Sequence, residues 1–158
     1  MSQADFSHLD SAGRAQMVDV SEKPVTRRVA EASCRVRLSA DTVARLSHLP
    51  KGDAFAVARL AGIQGAKKTG DLIPLAHPLA LDQVEIEIVP DGDGVAIRSR
   101  VVVTARTGAE MEALVACSTA ALALYDMVKA VEREAVVTDL RLEAKSGGQR
   151  GAFVRSAP

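Results

Sequence analysis

The chain contains no tryptophan, one tyrosine and three phenylalanines among 158 residues. Proteins that grip single-stranded nucleic acid stack bases on aromatic rings, so this scarcity excludes such a platform. Neither sign of charge is in excess, because twenty Lys and Arg balance twenty Asp and Glu. Broad contact with a phosphate backbone needs a basic surplus, so no nucleic-acid partner is expected. Cys34 and Cys117 are too few for a disulfide framework and are expected as reduced thiols. Cysteines and histidines do not fall at ligand spacing, so no metal site is expected. No apolar run long enough to cross a bilayer stands out, and no charged segment followed by an apolar stretch opens the chain. A cytoplasmic protein without a membrane partner is expected, built as one domain over residues 1–158.

The most informative stretch runs from Thr107 to Arg133. It lacks Pro, has Gly108 alone near its start, and is dominated by good helix formers. Thr107 and Glu110 have capping-box spacing. Met111, Leu114, Val115, Leu122 and Tyr125 recur at a helical period and predict the buried face. Glu112, Thr119, Asp126 and Arg133 form a narrow polar stripe, with Lys129 one turn beyond Asp126. The stripe is either solvated or holds a partly buried acid–lysine pair. Such a pair lowers the lysine pKa by desolvation or holds the amine in place for proton transfer.

Residues 1–24 have no period and are expected as an extended arm, with Met17, Val18 and Val20 able to pin it down. Thr26-Arg27-Arg28 is the first concentration of positive charge. Glu31–Leu38 alternates like a strand; Ser39 caps a short helix to about Leu46, and Asp53 caps another from Ala54 to about Lys68. Gly62 and Gly65 in that helix mark close approach of another backbone. Pro74 and Pro78 exclude a helix interior from Asp71–Leu79, leaving an apolar, partly buried loop. His77 within it is either structural or a held imidazole able to exchange protons near neutral pH; His8 and His48 are expected at the surface. Val84–Val89 and Val95–Thr104 flank the turn signal Pro90-Asp91-Gly92-Asp93-Gly94 and predict a hairpin. Val136–Ala144 predicts the last strand, before the glycine-rich stretch Lys145-Ser146-Gly147-Gly148-Gln149-Arg150-Gly151. That stretch lacks P-loop spacing. It is either a tail, over residues 145–158, or a cradle of N–H groups for phosphate.

Together the elements predict an α+β, ferredoxin-like βαββαβ fold, an antiparallel sheet with helices packed on one face. Apolar residues near Val101–Val103 suggest that partner subunits cover part of the other face.

Several local patterns then occur in order. They are Met17-Val18-Asp19-Val20-Ser21, Lys51-Gly52-Asp53, and Ala61-Gly62-Ile63-Gln64 with Lys67-Lys68-Thr69. Asp71 to Leu79, Glu110-Met111-Glu112-Ala113-Leu114, Tyr125-Asp126-Met127 with Lys129-Ala130, and Ala144-Lys145-Ser146-Gly147-Gly148 follow. From about residue 7 to 153 the sequence resembles the molybdenum-cofactor biosynthesis protein C family, the cyclic pyranopterin monophosphate synthases. The resemblance implies conversion of 3′,8-cyclo-7,8-dihydro-GTP to cyclic pyranopterin monophosphate with release of pyrophosphate, by general acid/base catalysis. It implies catalytic roles for Asp126, Lys129, Lys51 and His77. Leu75, Ala76, His77, Met111 and Glu112 would contact substrate, and Arg28, Lys67 and Lys145 would meet the triphosphate. It further implies a homohexamer, a trimer of dimers with the active site at the dimer interface, and no cofactor; the sequence carries no support for Mg²⁺. Ala76 departs from the family pattern, since many relatives have a Cys there; it is expected to be a lining residue. The alternative class is a non-enzymatic ferredoxin-like module that binds a phosphorylated ligand and regulates a partner.

Overall fold

The computed structural model describes residues 9–148 without Ser11, and residues 151–156. The expectations for His8, for the start of the arm, and for Gln149, Arg150 and the last two residues lie outside these.

Five strands and four helices follow in the order β1 (Thr26–Arg37), α1 (Ala40–Arg45), α2 (Ala54–Lys67), α3 (Thr69–Leu72), β2 (Gln83–Pro90), β3 (Gly94–Ala105), α4 (Glu110–Val128), β4 (Val136–Ser146) and β5 (Phe153–Val154). The sheet is antiparallel in the order β2-β3-β1-β4-β5. Its first four strands have the predicted ferredoxin-like arrangement. The two-residue β5 and the single-turn α3 are additions that the sequence pattern does not show.

Strand alternation decides the two faces of the sheet. Ala30, Ala32, Cys34 and Val36 of β1 and Val95, Ile97, Val101 and Val103 of β3 are buried under the helices. The opposite face carries charge rather than a bare apolar surface. Arg100 lies 3.4 Å from Glu31 and 3.8 Å from Glu85, and Arg35 lies 2.6 Å from Asp91. Only Val102, 4% exposed, keeps the apolar character expected around Val101–Val103 on that face.

Helices α2 and α4 lie side by side because the residues between them are small. A Cβ placed on Gly65 would come within 2.1 Å of Thr119 Oγ1, and one on Gly62 within 3.0 Å of the Ala116 carbonyl oxygen. The backbone approach anticipated at both glycines is found at Gly62, whereas Gly65 makes room for the Thr119 side chain. This packing also decides which face of α4 is buried: Ala113, Ala116, Cys117, Ala120, Ala121, Leu124 and Val128. Of the expected apolar face, Val115 alone is fully buried; Met111 is 37% and Leu122 61% exposed. Helix α4 packs beside α2 and on the sheet at once, so small side chains occupy most of the contacts, while Met111 and Leu122 point away. It is apolar enough over 18 residues to span a bilayer, against expectation, but 56% of that window is buried in the core.

Both ends of α4 also differ from the expectation. Ala109 is the N-cap residue and makes no side-chain cap bond; Glu110 instead reaches Lys145 Nζ at 2.9 Å. The helix ends at Val128, with the Lys129 N–H donating to the Tyr125 carbonyl at 2.9 Å. The Tyr125 hydroxyl donates to the Arg133 carbonyl at 3.2 Å, so Arg133 belongs to the following turn.

Candidate active site

A cleft of about 340 Å³ opens beside the first turn of α4. Five separate stretches of chain converge on it. The arm supplies Val18, Val20 and Lys23, which fits the pinning expected of its valines; Met17 stays exposed. The proline-flanked loop supplies Leu75, Ala76, His77 and Leu79. This loop is held in place by close packing, since a Cβ on Gly70 would meet Pro78 Cα at 3.1 Å. The stretch from Arg106 to Glu112 and the stretch from Lys145 to Gly147 complete the lining, together with Arg28 of β1.

Four cations therefore surround the cleft: Lys23, Arg28, Arg106 and Lys145. Arg28 is oriented by its Nε and Nη2 groups, which donate to the carbonyls of Ala105 and Arg106 at 3.1 and 3.0 Å. Gly147 and Gly148, both at positive φ, let the chain after β4 curl against it. A Cβ on Gly148 would stand 2.2 Å from Arg28 Nη1. Lys145 is paired with Glu110 at the cleft wall. With Arg28 and Lys145 held in place, the four cations together suit phosphate oxygens.

Glu112 is the chemically unusual group here. It is 3% exposed, and burial pushes its carboxyl pKa up to about 7, with the negative charge of Glu110 adding to the effect and its own backbone N–H opposing it. A carboxyl poised there exchanges protons readily at neutral pH. The sequence marks Glu112 as a substrate contact and a member of the polar stripe, not as a buried acid, because burial is decided by neighbours distant in the chain. Lys23 and Arg106 are likewise not marked: an isolated basic residue on a loop has no pattern that distinguishes it.

Lys51, Asp126 and Lys129 gather at the other end of α4. Lys129 Nζ lies 2.5 Å from Asp126 Oδ1. Lys51 Nζ donates to the Asp126 carbonyl at 2.8 Å and lies 3.3 Å from Oδ2. Asp126 and Lys129 are about half exposed, at 57% and 51%, so the partly buried pair is not seen within one subunit. The direction of titration is reversed accordingly. The hydrogen bond and charge of Asp126 raise the Lys129 pKa, while Lys129 and then Lys51 hold the Asp126 carboxyl below its usual range. Lys129 is thus held as a cation.

Glu112 and Asp126 are fourteen positions apart in one helix, which separates them by about 21 Å at 1.5 Å per residue. His77, Arg28, Lys145, Leu75, Ala76, Met111 and Glu112 share the cleft, and Lys51, Asp126 and Lys129 share the far end. Lys67 joins neither group; it lines a shallow groove with Asp82 and Gln83. Among the described residues no cluster of three His, Cys, Asp or Glu could hold a metal ion.

Residues 17–148 match the MoaC family. The chain is 56% identical over 155 residues to the cyclic pyranopterin monophosphate synthase of Streptomyces griseus, a match covering 97% of this chain and 88% of that one. It is 54% identical over 152 residues to the enzyme of the same name from Dinoroseobacter shibae, covering 94% and 96% of the two. Cyclic pyranopterin monophosphate synthase 1 of Mycobacterium bovis is 52% identical over 155 residues, covering 96% and 91%.

Proposed function

The chain belongs to the MoaC family, an enzyme of lyase type in molybdenum cofactor biosynthesis, and from that premise we propose that it converts 3′,8-cyclo-7,8-dihydro-GTP to cyclic pyranopterin monophosphate and pyrophosphate. The observation that carries this reading is the cleft itself, which joins four cations to a carboxyl near pKa 7 and an imidazole. The cations suit a triphosphate; Glu112 and His77 suit the proton transfers needed to open and rebuild the base. In closing the cyclic phosphate, a hydroxyl oxygen attacks the α-phosphorus and gives up its proton. The bond from the α-phosphorus to the β-bridging oxygen breaks, and pyrophosphate leaves with the electron pair. Lysine and arginine charge offsets the charge that develops on the leaving group. The rearrangement is redox-neutral, and no resident cofactor is part of the proposal.

The lysine–aspartate group enters from a second subunit. Separated by about 21 Å along one helix, the two groups serve one substrate only when the Lys51–Asp126–Lys129 end of one chain meets the cleft of another. This supports the proposed assembly, a homohexamer formed as a trimer of dimers with active sites at the dimer interface. The cytoplasm, where a GTP-derived substrate would be made, is the proposed location.

Anaerobic incubation of the purified protein with the cyclised GTP intermediate tests the reading. Pterin and pyrophosphate are expected to appear together, with turnover reduced by at least about a hundredfold in Lys129→Ala, the size of an acid–base contribution. Tight binding without either product would instead support the regulatory module.

A further inference from the structure

The turn after Lys129 is tied across the molecule to the start of α1. The N–H groups of Val131 and Glu132 donate to the Val128 carbonyl at 2.8 and 2.9 Å, folding the chain back after α4. The Glu132 carboxylate then reaches Ser39. Its Oε1 accepts the Ser39 N–H at 2.9 Å, and its Oε2 accepts the Ser39 hydroxyl at 2.8 Å. The Ser39 hydroxyl oxygen in turn accepts the Thr42 N–H at 3.3 Å and caps α1. Hydrogen bonding from Thr42 and Ser39 holds the Glu132 carboxyl below its usual range despite partial burial, so it is an anion at neutral pH.

From Ser39 to Ala54 the chain forms one closed unit. Leu46 and Leu49 are buried; the Ala54 N–H donates to the Leu46 carbonyl at 2.9 Å, and the Gly52 N–H to the Leu49 carbonyl at 2.8 Å. Lys51 is carried on this unit. Polar links join the unit to the end of α4 at two places among the described residues: Lys51 meets Asp126, and Glu132 meets Ser39 and Thr42. The first link is exposed and made by a long, flexible side chain. The second is a carboxylate held by donors on a backbone and a short hydroxyl, which confines it to one geometry.

We propose that Glu132 is a positioning residue: by anchoring α1 to the turn after Lys129, it sets where Lys51 Nζ stands relative to Asp126 and Lys129. The inference rests on the reading of those three residues as the proton-transfer group. A misplacement of an ångström within such a group lowers the rate of reaction without weakening substrate binding in proportion.

The test uses the full chain with Glu132→Ala and Glu132→Gln, and reads the lysines directly as well as the reaction. Trace labelling with acetic anhydride, followed by mass spectrometry, reports the exposure and freedom of each amine. Glu132→Ala is expected to raise labelling of Lys51 severalfold while Lys67 and Lys68 keep their parent values. It is also expected to lower kcat by about tenfold with KM little changed. Glu132→Gln, whose amide oxygen still accepts from Ser39, is expected to restore most of both. Unchanged Lys51 labelling in a folded Glu132→Ala protein would overturn the proposal, as would a uniform rise across all lysines, the mark of general loosening. If Glu132→Ala does not fold, Ser39→Ala removes the hydroxyl link together with the Thr42 cap and keeps the backbone N–H bond to Glu132, and the same selective change at Lys51 is expected on a smaller scale; its absence would overturn the proposal. A parent protein without turnover would count against the synthase reading and leave the labelling result standing by itself.

Discussion

Glu110 and Glu112 stand two positions apart in the first turn of α4 and meet different surroundings. Glu110 is paired with Lys145, whereas Glu112 is buried and pushed up to about 7. The folded protein therefore keeps a proton on Glu112 between pH 4.5 and 7, where the unfolded chain gives it up. Stability contributed by this group is complete below 4.5 and lost as pH rises through 7, by on the order of 3 kcal/mol at 1.36 kcal/mol per unit. Urea midpoints at pH 5 and pH 8 are expected to lie closer together in Glu112→Gln than in the parent. The same variant is expected to lose about a hundredfold in kcat. Ala76 lines the cleft without a titratable atom, so Ala76→Cys is expected to leave kcat within about twofold, since lining changes of this size act through small packing terms. These residues were legible in the sequence to different degrees. Asp126 and Lys129 are readable because helical spacing places them together. Their exposure was not, because whether a polar stripe is covered depends on what lies beside it. Among the described residues Asp126 and Lys129 stay about half exposed, whereas Thr119 packs against Gly65 of α2 and Glu112 is buried.

At the scale of elements, the contact of α2 with α4 determines where both ends of the site lie. Gly65→Ala places a methyl group against Thr119 and is expected to destabilise the fold by about 2 kcal/mol, in the range of overpacked cores. Thr119→Ala in the same chain is expected to recover much of the loss; denaturant titration of the single and double variants measures it. The glycines of α2 signalled this contact in the sequence, and the strands and their hairpin were readable from alternation. The buried face of α4 was not. Large apolar residues such as Leu122 suggest burial by hydropathy, but a helix packed closely beside another and on a sheet gives most of its contacts to Ala and Cys. The start of α4 was misplaced for a similar reason, since Glu110 is drawn to Lys145 rather than to a cap. Single-turn α3 and two-residue β5 are held by tertiary contacts and have too few residues for a period.

For the whole molecule, the proposed site is divided: one subunit carries the cleft and the Lys51–Asp126–Lys129 group at opposite ends of α4. Exposed Leu60 and Leu122 on the helices and Val136, Val137 and Leu140 on β4 leave apolar surface that the proposed hexamer would cover. The predicted helix already set Glu112 and Asp126 apart along its length, but the sequence could not show which residues of the loops gather at each end. Subunit mixing tests this account most directly. Glu112→Gln and Lys129→Ala damage opposite halves, so each homo-oligomer is expected to be nearly inactive. Co-expressed, they should form mixed dimers in which one site carries both changes and the other carries neither. Random pairing across a two-fold interface then predicts recovery of about a quarter of parental activity. Mixed oligomers that form, verified by mass, yet remain as inactive as either variant alone would contradict a site shared between two chains.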